Sequence, residues 1–116
     1  MDEIRIGKHR DQLIRRREKI VMTLRHLAKE QAEVERNTDW LDQAAYESRV
    51  QLLDRLNGWY VAEIEQIDNA LARVEKNNYG LCVACNDPIE NRRLDTAPES
   101  EFCSGCQSTW EYSKCA

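Results

Sequence analysis

Apolar residues along this chain fall into two long stripes separated by a short polar break. In residues 10–36, Leu13, Ile20, Leu27 and Val34 recur every seven positions; Ile14, Val21 and Ala28 recur beside them, and Leu24 fills the same face. Positions three, four and seven apart share one face of an α-helix, so the stretch reads as a helix with one apolar stripe on a charged surface. The stripe stops at Arg36, Asn37, Thr38 and Asp39. Asn, Thr and Asp are the residues that end one helix and cap the next. A second helix is expected over residues 41–77, where Tyr46, Leu53, Tyr60, Ile67 and Val74 repeat the seven-residue spacing and Val50, Ile64 and Leu71 flank them. Two matched stripes joined by a short polar link predict an antiparallel coiled-coil hairpin with its tip near residues 37–43. At roughly 1.5 Å per residue, each arm would be about 40–50 Å long.

Glycines punctuate the second half. Gly58 follows Asn57 inside the second arm, where a glycine costs about 1 kcal/mol of helix stability and marks a kink or a break. Gly80, after Asn77, Asn78 and Tyr79, is the expected stop of that arm. Residues 107–115 are expected to form a short terminal helix.

Four cysteines then change the picture. Cys82, Cys85, Cys103 and Cys106 stand in the spacing C-x2-C-x17-C-x2-C. A two-residue spacer lets one tight turn deliver two sulfurs to one ion, and two such knuckles complete a tetrahedral Zn(Cys)4 shell. Four protein ligands leave no open position for water, so the zinc would be structural. A pair of redox dithiols is the competing reading, but that wants a βαβ context, which is absent. Iron in a four-thiolate shell is another alternative. Cys115 reads as a spare, exposed thiol. The expected fold class is therefore mainly α: an N-terminal segment and coiled-coil hairpin over residues 1–78, then a small four-cysteine zinc module with a C-terminal helix over 79–116.

Charged residues make up 33% of the 116 and aromatics 7%, a mix too polar for a thick globular core and suited to solvated helices. The net charge is -4, distributed as ten basic against seven acidic residues in 1–36, four against eight in 37–80, and three against six in 81–116. Phosphate contacts need Lys and Arg, so sequence-specific DNA binding is not expected. The first residues contain no apolar signal region and no apolar run approaches the ~20 residues of a membrane span, which places the expected location in the cytoplasm, where thiols stay reduced.

A hairpin followed by this cysteine pattern resembles the DksA/TraR family of bacterial transcription factors. The resemblance is carried by residues 70–82 and 88–94, and by Asp39, Asp42 and Ala44, which fit the family's D-x-x-D-x-A signature where the hairpin should turn. It implies a protein that binds RNA polymerase core directly, inserts its coiled-coil tip into the secondary channel and modulates transcription initiation. It also implies one structural zinc ion on Cys82, Cys85, Cys103 and Cys106, with Asp39, Asp42 and Ala44 as tip residues. Trp40, beside them, is either a partner contact or packing at the hairpin end. Asp39 read by spacing alone is the N-cap of the second helix, with Asp42 in its first turn. Where alarmone-responsive members carry basic side chains, this chain has Gln66, Ala97 and Gln107, which argues against direct cooperation with ppGpp.

Other residues have plainer readings. Arg15, Arg16 and Arg17 form a solvated helix face. Trp59 and Trp110 are expected to pack near the junction of hairpin and zinc module. Arg92 and Arg93 either hydrogen-bond within the finger or contact polymerase. His9 and His26 read as surface residues with no second catalytic group, so an enzyme is not expected. The alternative functions are a zinc-containing coiled-coil adaptor and a zinc-ribbon nucleic-acid binder.

Overall fold

The computed structural model describes residues 2–36 and 42–115, with side chains as far as Thr109. The described residues form four helices: α1 (Glu3–Arg36), α2 (Gln43–Glu75), α3 (Asn91–Thr96) and α4 (Ser104–Cys115). No strand occurs among the described residues; an isolated antiparallel bridge joins Leu81 and Pro88. The chain divides into two compact units, Arg16–Glu65 and a second one made of Met1–Arg15 with Gln66–Ala116.

Arg16–Glu65 is the helical hairpin. Arg16 Nη2 meets Glu63 Oε1 at 3.0 Å, and Glu30 pairs with Arg49. Partner numbers fall as residue numbers rise, which is the antiparallel register. Ile20 and Leu53 are buried at its centre, 6% and 3% exposed, and Leu27 and Val34 are half-buried toward the tip. The two ion pairs lie on the surface, where each contributes only about 0–1 kcal/mol; the apolar stripe holds the arms together. α2 runs through Gly58 without a break.

Trp59 is 66% exposed and stacks on Tyr60, with ring centroids 5.7 Å apart. It does not pack at a junction as the sequence reading expected. The cause is helical phase: Tyr60 continues the stripe of Leu53 and Ile67, and the preceding residue points about 100° away from it.

The second unit gathers the first turns of α1, the last turns of α2, the cysteine knuckles, α3 and α4. Leu13, Ile67, Ala70, Tyr79, Cys82, Ile89 and Leu94 are among its buried residues. α1 begins seven residues before the expected start at residue 10, because Asp2 caps it: Asp2 Oδ1 accepts a 2.7 Å hydrogen bond from the Arg5 backbone N–H. The seven-residue stripe correspondingly reaches back to Ile6. His9, four residues before Leu13, lies on the inner face and is 4% exposed, not on the surface.

α2 ends at Glu75, and Asn77, not Gly80, takes the left-handed position, with φ 61°. The Asn78 N–H reaches the Arg73 carbonyl at 2.9 Å and the Asn77 N–H reaches that of Val74 at 3.2 Å. This pair of bonds is a Schellman stop, which satisfies carbonyls that the helix end leaves free. Gly80, φ 86°, instead shapes the turn into the first knuckle.

Candidate metal centre

The first cysteine pair sits on a tight turn. The Asn86 N–H closes it onto the Cys82 carbonyl at 2.9 Å, and Asn86 itself is left-handed, φ 64°. The Cys82 N–H donates to the Asp87 carbonyl at 2.8 Å. The second pair is built differently. Cys103 immediately precedes α4 and Cys106 lies in its first turn, with the Gln107 N–H donating to the Cys103 carbonyl at 2.9 Å. A backbone bond from Val83 N–H to Glu101 O, 2.9 Å, ties one knuckle to the approach of the other.

These turns bring all four sulfurs within 4.8 Å of one another, and Cys85 Sγ to Cys103 Sγ is 3.8 Å. A tetrahedron of thiolates at about 2.3 Å from zinc has edges of about 3.8 Å, so the donor set and its spacing fit zinc. Electrostatics point the same way. Desolvation opposes ionisation of Cys82, but backbone N–H groups of Cys103, Cys85 and Ala84 outweigh it and bring its pKa down to about 6. Cys106 is pushed up to about 12, first by the Cys103 sulfur and then by those of Cys82 and Cys85. Four thiolates this close repel one another, and a dication removes the conflict. Zinc held by Cys82, Cys85, Cys103 and Cys106 would supply folding free energy and would have no open coordination position.

The segment between the knuckles is held by polar side chains aimed at backbone. The Tyr79 hydroxyl donates to the Pro98 carbonyl at 2.8 Å, and both residues are buried; burial pushes the phenol pKa up. Arg93 Nε donates to the Phe102 carbonyl at 3.0 Å, so Arg93 serves the finger's own structure. Arg73, 14% exposed at the end of α2, reaches the carbonyl of Ser100 at 3.3 Å and Glu101 Oε1 at 3.5 Å. Ser104 Oγ donates to Glu90 Oε1 at 2.9 Å. Tyr79 and Arg73 went unnoticed in the sequence. Their partners lie 19 and 27 residues away, and no local pattern marks them.

Of the expected tip residues, Asp39 and Trp40 lie outside the described residues, and Asp42 and Ala44 are exposed. Asp42 is itself the N-cap of α2: its Oδ1 accepts a 2.8 Å hydrogen bond from the Ala45 N–H. The cap expected at Asp39 therefore falls three residues later. Gln66, Ala97 and Gln107, far apart in sequence, line one cleft of about 570 Å³ together with Arg93, Glu99 and Glu101. The Cys115 and Trp110 side chains fall outside those described. No helix of the described residues is long and apolar enough to cross a membrane.

Comparison with known proteins supports a common origin. No family model matches the chain. An uncharacterized protein of Aquifex aeolicus is 30% identical over 112 residues, covering 91% of this chain and 76% of that protein. The RNA polymerase-binding transcription factor DksA of Escherichia coli is 30% identical over 95 residues, covering 82% of this chain; the chain spans 61% of that relative's length. Among solved structures, transcription factor DksA2 from Pseudomonas aeruginosa superimposes with a TM-score of 0.90 at 29% identity, covering 100% of this chain and 90% of that one.

Proposed function

The chain belongs to the DksA/TraR family, and from that premise we propose that it is a transcription regulator that binds RNA polymerase core and inserts its hairpin tip into the secondary channel. It acts by binding, not by catalysis, from the cytoplasm, and modulates initiation without reading a DNA sequence.

The observation that carries this reading is the placement of Asp42. One carboxylate oxygen is tied to the Ala45 N–H, and no other polar contact of this exposed side chain occurs among the described residues. The cap thus fixes where the charge sits, and the second oxygen stays available to a magnesium ion, its waters or a basic loop. Asp39, Trp40 and Ala44 complete the proposed contact. The zinc on Cys82, Cys85, Cys103 and Cys106 is structural in this scheme. Regulation is proposed to run without direct ppGpp cooperation. The cleft at Gln66, Ala97 and Gln107 contains no lysine, and its one arginine, Arg93, is engaged with a backbone carbonyl. A polyphosphate needs free positive charge.

The test is binding to bacterial core polymerase and promoter transcription, with and without ppGpp, for wild type, an Asp39→Asn/Asp42→Asn double variant, and Asp42→Ser. Serine is also a good N-cap, so Asp42→Ser removes the charge and keeps the helix start. Wild-type binding with activity lost in both variants is the expected result. Failure of the zinc-loaded wild type to bind at micromolar concentration rejects the reading. A ppGpp effect on wild type rejects its alarmone part.

A further inference from the structure

We infer that the cleft between the first turns of α1 and the end of α3 binds a small phosphate-bearing ligand. The cleft has a volume of about 570 Å³ and lies apart from the cysteine cluster and from the Gln66, Ala97 and Gln107 cleft.

The decisive group is His9. Its side chain lines this cleft and is nine-tenths buried, yet neither Nδ1 nor Nε2 has a hydrogen-bond partner. Folded proteins leave few buried polar atoms in that state. Asp95 Oδ1 stands 3.5 Å from Nε2, outside hydrogen-bond geometry. On the other side, the His9 ring lies against Tyr79, with centroids 5.9 Å apart. Among the described residues, no group therefore satisfies the imidazole.

The neighbours of His9 share one chemistry. Arg5, Lys8, His9 and Gln12 stand at i, i+3, i+4 and i+7 on one face of α1 and all line the cleft. All four side chains can donate hydrogen bonds. Among the described residues, the Lys8 ammonium and the Gln12 amide have no polar partner. Asp2 also borders the cleft, with its Oδ1 held at the start of α1 by the Arg5 backbone N–H. Asp95 is the carboxylate that stands against the Arg5 and His9 side chains. One of its oxygens lies 3.3 Å from Arg5 Nη2 and the other 3.5 Å from His9 Nε2, both longer than good charge-assisted contacts. Asp95 acts as a poorly fitting internal substitute. A second carboxylate would only duplicate it. A phosphate group offers more acceptor oxygens and more charge, enough to engage Arg5, Lys8, His9 and Gln12 together once Asp95 swings out.

The inference does not rest on polymerase binding, and its test uses the isolated, zinc-loaded full chain. Inorganic phosphate is titrated at constant ionic strength and constant pH, and the His9 ring nitrogens and Gln12 side-chain amide are followed by NMR. Saturable shifts at both are expected. Arg5→Gln/Lys8→Gln should weaken binding at least about tenfold, the loss of charge-assisted contacts. Asp95→Asn should tighten it, because the competing carboxylate is gone. Should the double variant lose helicity, Lys8→Gln alone decides, since Lys8 is exposed and holds nothing in place: weaker binding supports the site and unchanged binding overturns it. Shifts that do not saturate, or an Asp95→Asn variant that binds no tighter than wild type, also overturn it.

Discussion

Replacing Tyr79 by Phe tests how the segment leading to the second cysteine pair is held. The ring is 5% exposed and its hydroxyl donates a 2.8 Å hydrogen bond to the carbonyl of Pro98, which is fully buried. Phenylalanine keeps the ring, so no cavity opens. What is lost is one hydrogen bond, and what remains is a buried carbonyl with its donor gone. That combination costs about 1–3 kcal/mol. The assay is urea unfolding of the zinc-loaded protein, with Tyr60→Phe as the control on a half-buried ring without a hydroxyl contact among the described residues; the control should shift stability by less than about 0.5 kcal/mol. Dependence on pH supplies a second signature. Burial raises the Tyr79 pKa above its ordinary value of 10.0. A group raised in the fold contributes stability that is present below its unfolded pKa and lost as pH climbs beyond it. The gap between wild type and Tyr79→Phe should therefore be full at neutral pH and narrow above about pH 10. A variant as stable as wild type at pH 7, or a gap that widens in alkali, refutes the account.

Two further perturbations separate the parts of the molecule. Chelation of zinc should release α3 and α4 to rapid amide exchange while α1 and α2 within residues 16–65 keep their helical protection, because structural zinc is worth about 10–16 kcal/mol in comparable peptides and the hairpin contains none of the four cysteines. Protons compete with zinc for thiolate, so zinc retention should fall as pH falls; exchange in α3 and α4 that ignores chelation counts against a structural metal. Gly58→Ala should stabilise the hairpin by about 0.5–1 kcal/mol, read as a higher thermal midpoint. The glycine lies in continuous helix with nothing within 4 Å of an added Cβ, and a lower midpoint would mean that the position needs glycine.

The hairpin was legible because its signal is local. Leu13 and Ile20 are spaced to share one face of α1, Leu53 and Ile67 one face of α2, and each is buried. The four-cysteine cluster was legible for the same reason: both cysteine pairs are two-residue knuckles, and the long spacer between them closes to bring the four sulfurs within 4.8 Å of one another. Reading stopped short where a residue's partner lies far along the chain. His9 sits on the inner face beside Tyr79 and Asp95, yet by type it looked like a surface residue. Arg73 holds the Ser100 carbonyl 27 residues away, and no local pattern marks that contact. Two capping positions were misread by a few residues because the candidates are chemically equivalent. Asn77 and Gly80 both tolerate positive φ, and α2 stops at the first of them.

Asp42 shows why capping and function need not compete at a hairpin tip. An aspartate that only presented charge would be free to rotate, and its carboxylate would sweep a volume set by two side-chain torsions. Tying Oδ1 to the Ala45 N–H removes that freedom, so the remaining oxygen moves with the first turn of α2. The helix N-terminus also carries partial positive charge, which complements a negative side chain in that place. On the proposed function, the residue delivered to a polymerase channel is thus already ordered and charged, and less conformational entropy is lost on binding. Glutamate at this position would keep the charge but cap poorly and reach farther. Its contribution would fall on both counts, which makes the length of the side chain, and not only its sign, part of the tip's chemistry.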